Sequence, residues 1–136
     1  MKRKHQKQRG TSIVEFAIVL PMLIILLLGI VEFGFALYDQ AVITNASREG
    51  ARAGIVAQNP RKTSADITAI VNNYCQTYLI SFTENDPVTT VAGGGSFPNP
   101  LTVTVTYNYG FLALPNFLVD LTGPISLSAS TVMLME

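Results

Sequence analysis

The chain is nearly empty of the residues on which most enzymes and metal sites depend. It has one cysteine, Cys75, and one histidine, His5, in 136 residues. A single cysteine forms no internal disulfide and holds no cysteine-based metal centre. His5 lies in a basic N-terminal tip with no second histidine or cysteine beside it, so the usual zinc and cysteine-protease constellations are excluded. Charge is scarce as well. Only 13% of residues are charged and 49% are hydrophobic, against about 25% charged in an average soluble chain. This balance excludes a disordered tail and a soluble nucleic-acid binder. There is no internal repeat, and the length suits one small domain.

The charge that is present is segregated, although the formal net charge is zero. Residues 1–10 (MKRKHQKQRG) hold five of the nine basic residues and no acid. The other 126 residues hold Arg48, Arg52, Arg61 and Lys62 against nine acids, a formal charge of −5. The basic tip runs directly into Phe16–Val31, sixteen residues without a charge. As a helix this run is about 24 Å long, short of a hydrocarbon core of about 30 Å. Extended through Glu32 to Leu37 it reaches about 33 Å, with Glu32 marking the outer interface. Positive charge before an apolar span holds that end in the cytoplasm and sends the remainder across the membrane.

Three fates are open to this segment. It is cut as a secretory signal after Gly34-Phe35-Ala36, leaving Leu37 first; it stays as an uncut anchor; or it is cut on its cytoplasmic side. Glu15 separates them, because it stands between Val14 and Phe16 where an ordinary signal is apolar. A carboxylate in a bilayer costs about 2–3 kcal/mol on insertion scales. Cleavage after Gly10 would put an α-amine on Thr11, one helical turn from Glu15. The amine and the carboxylate would lie at one depth, able to pair within a chain or between stacked chains. The charge penalty in lipid then becomes a device for setting register.

The run Gly10-Thr-Ser-Ile-Val-Glu15-Phe16 resembles the cleavage motif of type IV prepilins. The longer stretch Arg9–Arg52 is similar to the TadE-like family of pseudopilins, in the tight-adherence branch of the type IV pilus system. The residues that carry this likeness are Gly10, Glu15 and Phe16, the break at Leu20-Pro21, Gly29-Ile-Val-Glu-Phe-Gly34, and Asn45-Ala-Ser-Arg-Glu-Gly-Ala-Arg52. The resemblance implies cleavage between Gly10 and Thr11 by a membrane aspartyl prepilin peptidase, often with methylation of the new terminus. It also implies partners among other pilins, pseudopilins and inner-membrane assembly proteins, and a part in building adhesive pili.

Pro21 removes one helical hydrogen bond. It is either a tolerated membrane-helix proline or a weak point where the helix bends or melts in a filament. Gly29 and Gly34 are not at four-residue spacing, so no dimerisation motif follows. Ala36–Val56 continues the helix, with Leu37, Ala41, Ile43, Thr44, Ala46, Ala51 and Ile55 as a loose stripe. Small residues at 46, 47, 50, 51, 53 and 54 invite another element to come close. Arg48, Glu49 and Arg52 are a solvated helix face or contacts to a neighbouring subunit. The helix ends before Asn59-Pro60.

Beyond it, Thr63-Ser-Ala-Asp66 reads as a capping box opening a second helix. Its buried face is Ile67, Ile70, Val71, Tyr74 and Tyr78, with Cys75 adjoining as a buried apolar thiol. Val88–Ala92, Leu101–Tyr107 and Ile125–Leu134 are strands, and Gly93–Pro100 is a loop without the GK[ST] of a phosphate cradle. Phe111–Leu121 is an apolar cover or a partner surface. Glu84-Asn-Asp86 is a solvated turn, since its spacing lacks the ligands of a calcium loop. No nucleophile–base pair is present, so no enzyme activity, cofactor, metal, nucleic acid or small-molecule substrate is expected.

The expected fold is α+β: a leader at residues 1–10, a long helix over 11–57 and a head over 58–136. The helix is membrane-spanning at 16–37 and amphipathic at 38–57, and the head holds a second helix and about three antiparallel strands. The expected location is the cytoplasmic membrane, single-pass, N-terminus in and C-terminus out, with incorporation into an extracellular pilus. A non-polymerising membrane protein whose head binds a secretion partner, and a secreted enzyme, are the competing readings.

Overall fold

The computed structural model describes residues 5–82, 85–112 and 123–136. Helix α1 spans His5–Ile55, about 76 Å at 1.5 Å per residue. It passes through Pro21 without interruption. Helix α2 covers Ser64–Tyr78. Strands β1 (Val88–Gly93), β2 (Pro100–Tyr109) and β3 (Ile125–Leu134) form one antiparallel sheet in the order β1-β2-β3. The fold is therefore α+β, a long N-terminal apolar helix carrying a head of a second helix and a three-stranded antiparallel sheet.

The sheet follows from the alternation in β2. Leu101, Val103, Val105, Tyr107 and Tyr109 all face inward and are buried, while Thr102, Thr104 and Thr106 face outward. The register pairs Val105 with Ala129 and Tyr107 with Leu127, which puts the apolar sides of β2 and β3 on one face. In β3 the alternation is blurred in the sequence after Ala129 but continues in space. Thr131, Met133 and Met135 stay on the inner side, and the Thr131 hydroxyl bonds to Ser47 on α1 at 2.7 Å. At the β1–β2 turn, Gly93, Gly94 and Gly95 have φ of +78°, +81° and +97°. That run is open only to glycine at low cost.

Helix α2 starts at a capping box. The Thr63 hydroxyl accepts from the Asp66 N–H, and the Asp66 carboxylate accepts from the Thr63 N–H. Its inner face is Ile67, Val71 and Cys75. Tyr78 is half exposed instead of buried, its ring tilted on Tyr74 with centroids 4.7 Å apart.

The small residues of α1 mark the place where the head comes closest. A Cβ at Gly50 would lie 2.5 Å from Val71 Cγ2, and one at Gly54 would lie 2.7 Å from Ile67 Cδ1 and closer still to Leu101. Both α2 and β2 thus rest on α1 backbone. Ile43, Ala46 and Ala51 complete the core from the helix side.

Candidate functional site: a bare helix and a buried acidic neck

Helix α1 divides at Glu32. Before it, from Gly10 to Val31, nearly every side chain is exposed, including Phe16 (62%), Ile18 (72%) and Met22 (76%). This is an all-round apolar rod projecting from a folded head, long and apolar enough to cross a membrane. Gly10, Thr11, Glu15, Phe16 and Pro21 all lie on it. The uncovered stretch Gly10–Val31 is about 33 Å as a helix, close to a hydrocarbon core of about 30 Å.

From Glu32 onward one face is covered. It runs Glu32, Phe35 and Ala36, Asp39, Val42 and Ile43, Ala46 and Ser47, Gly50 and Ala51, Gly54, a repeat of about 3.6 residues. The stripe anticipated from apolarity is corrected in two places. Leu37 and Ala41 are exposed, and acids stand in the inward face instead. Glu32 is 3% exposed and Asp39 fully buried. The reason is that loop backbone abuts this part of the helix, and its N–H groups need acceptors. A Glu32 carboxylate oxygen accepts the Leu112 N–H, and Asp39 Oδ1 accepts the Ile80 N–H at 3.0 Å. The Tyr109 phenol donates to the Glu32 carbonyl at 3.5 Å. Glu32 is therefore covered by the head as well as set at the outer end of the apolar run.

This neck is short of counter-charge. Glu32 Oε2, Asp39 Oδ2 and Tyr107 Oη are buried with no hydrogen-bond partner among the described residues. The one ion pair among those residues is Glu49–Arg52, far up the helix. Burial raises the Asp39 carboxyl above its ordinary range, against the smaller opposing effect of the Ile80 N–H. Burial, followed by the charges of Glu32 and Asp39, holds the Tyr109 phenol well above its usual range. Phe35 meets Phe82 edge-on at 5.6 Å, and Tyr109 meets Phe111 at 5.7 Å, so aromatic rings close the neck from two sides.

Of the helix charges, Arg48 and Arg52 are exposed, and Arg52 Nη2 reaches Glu49 at 3.1 Å. They form a solvent-facing patch. Cys75 is a fully buried free thiol that burial pushes up to about 11. Asp66 serves the α2 cap, and Asp86 is exposed. Glu84, Asp120 and most of the apolar segment Phe111–Leu121 lie outside the described residues.

Asp39 went unmarked by hydropathy. The signal that could have found it is its spacing from Glu32. Acids seven residues apart share a helix face, here within an otherwise apolar stretch.

No curated protein and no solved structure matches the chain. A protein-family model does match, over the bare rod and most of the covered helix, and it leaves α2 and the sheet outside. The cleavage-like motif, the apolar rod and the small-residue stripe under the head all fall within that match. Residues 10–52 match the family model of TadE-like proteins.

Proposed function

We propose that the protein is a minor pilin or pseudopilin, a structural subunit that takes part in assembling a tight-adherence type IV pilus used in adhesion. The observation that carries this reading is the bare apolar rod of α1 with Glu15 on it, five residues past Gly10, within the residues that match TadE-like proteins. An all-round apolar helix projecting from a folded head has to be covered by lipid or by other helices. One carboxylate on such a rod is costly unless it finds a partner. Removal of residues 1–10 by a prepilin peptidase supplies that partner, the α-amine of Thr11, on the same chain or on a neighbour. The match of residues 10–52 to TadE-like proteins supports a role in the context of the tight-adherence pilus machinery. The five basic residues before the rod favour an N-terminus in the cytoplasm and a head outside it.

The neck refines where the rod enters the bilayer. The head covers α1 from Glu32 onward, which favours lipid around the 21 residues Thr11–Val31 of the processed chain and a head at the membrane surface. No catalytic role is proposed.

N-terminal sequencing of the mature protein tests the reading. Thr11 as first residue supports it. Met1 favours a non-polymerising membrane protein whose head binds an assembly partner, and Leu37 favours a secreted domain. Glu15→Val separates processing from assembly. Membrane insertion should stay intact while piliation is lost, and normal piliation in this variant overturns the pairing argument.

A further inference from the structure

Just beyond the bare rod, α1 and the head together expose a collar of apolar side chains. Phe33, Leu37 and Tyr38 stand on the uncovered side of the helix, 65%, 55% and 45% exposed. Phe82, Leu112 and Ile125 belong to the head and are exposed as well. Contacts fix their height along α1. Phe82 meets the Phe35 ring, and the Leu112 N–H bonds to the Glu32 carboxylate. Ile125 pairs with Tyr109, whose phenol reaches the Glu32 carbonyl. The collar therefore lies on both sides of α1 at the level of Glu32 to Tyr38, about 9 Å of helix.

Resting on the reading of α1 as a membrane span, we propose that this collar is seated in the outer interface of the bilayer, so that loops of the head, and not the helix alone, touch lipid. The collar is continuous with the rod, starting one residue after Glu32. The interfacial layer adds about 5–7 Å outside the hydrocarbon on each side, which takes in most of the collar. Aromatic rings with one polar edge favour that depth, and Phe33, Tyr38 and Phe82 supply rings from both the helix and the head. The helix surface there is also free of exposed charge. The only charges in α1 from Phe16 to Ser47 are Glu32 and Asp39, and both are buried. Turning these acids inward removes the charge penalty that lipid would impose at this depth. In the head, the exposed Asp86 follows Asn85, which is held beside β2 by the Asn108 carbonyl. The opposite end of the head differs. Leu101 against Gly54 sets that end about 33 Å farther along α1 than Glu32. Phe97 is 70% exposed there, but Arg61 and Lys62 share that end, Arg61 through its bond to the Glu136 carbonyl beside Ile55. The occupant is the apolar boundary of the bilayer and not an anionic headgroup, because α1 offers no cation between Phe16 and Ser47. Neutral lipid should suffice.

The chain has no tryptophan, so single tryptophans test the seating by fluorescence. Full-length protein carrying Met22→Trp, Phe82→Trp, Leu112→Trp or Phe97→Trp is placed at low density in phosphatidylcholine vesicles. The vesicles hold a nitroxide either on the headgroup or deep in the acyl chain, and acrylamide is the aqueous quencher. Met22→Trp should respond to the deep nitroxide. Phe82→Trp and Leu112→Trp should respond to the headgroup nitroxide and be severalfold less open to acrylamide than Phe97→Trp. Leu112→Trp carries the test if Phe82→Trp disturbs the contact with Phe35. Collar tryptophans as open to acrylamide as Phe97→Trp overturn the inference. So do collar tryptophans shielded from acrylamide yet quenched by neither nitroxide, since protein then covers them. In both cases quenching at Met22→Trp leaves the membrane span standing. Absence of lipid quenching at Met22→Trp overturns the span and the collar together.

Discussion

Glu32 and Asp39, two turns apart on one face of α1, each hold a different loop of the head by a backbone N–H. Glu32 takes the N–H of Leu112 and Asp39 that of Ile80. The two carboxylates tie the end of the head nearest the bare rod to the helix. An apolar residue at either position would leave a part-buried N–H without its acceptor, which costs up to about 1–3 kcal/mol where water does not replace it.

Stability should depend on pH through Asp39. Its carboxyl is raised in the folded protein, chiefly by burial. The folded state therefore keeps this proton to higher pH than the unfolded chain. The penalty of ionising Asp39 is absent below the ordinary carboxylate range and grows as pH rises through the raised folded value. Lowering pH from neutral should stabilise the neck. Asp39→Asn keeps an acceptor for Ile80 and should flatten this dependence, as read by thermal unfolding across pH. Asp66 has the opposite sign. The Thr63 backbone N–H, then the Thr63 hydroxyl, lowers its carboxyl, so its contribution is lost on acidification.

The Ser47–Thr131 contact joins α1 to β3. Ser47 is fully buried, and its hydroxyl lies 2.7 Å from that of Thr131 and 2.9 Å from the Thr44 carbonyl. Ser47→Ala should cost about 1–2 kcal/mol, because it strands the Thr131 hydroxyl. Adding Thr131→Val should recover much of the loss. A double-mutant cycle of denaturant unfolding measures the coupling.

Gly50→Ala sets helix propensity against packing. Alanine favours a helix interior over glycine by about 1 kcal/mol. Here its Cβ would press on Val71 Cγ2 at 2.5 Å, inside the core. Overpacking costs of about 1–3 kcal/mol should win, and Tm should fall. Gly34→Ala meets nothing within 4 Å and should leave the head's unfolding unchanged or slightly improved. Equal effects at both positions would refute the close approach of α2 to α1.

Arg48 and Arg52 should matter to assembly and not to folding. Both are exposed, and the Glu49–Arg52 pair lies in solvent, where such pairs contribute little. Arg48→Glu with Arg52→Glu should leave the unfolding midpoint of the solubilised protein unchanged. Loss of incorporation into pili, with processing intact, would assign the patch to subunit contacts. Unchanged incorporation would leave it a solvated face.

The sequence alone determined the elements. The apolar run and the basic tip define the rod, the alternation of Leu101–Tyr107 defines the central strand, and Thr63 and Asp66 define the start of α2. These are short-range patterns set by the helical and strand periods, so they are visible without a fold. Tertiary structure decided which face of α1 is covered, because that face is chosen by backbone N–H groups of distant loops as much as by apolar side chains. Hydropathy therefore favoured Leu37 and Ala41 and passed over Asp39. It also blurred β3 at Thr131, whose polarity is satisfied by a serine 84 residues away. Buried polar groups are placed by partners far along the chain, and a single sequence records the groups without the partnership.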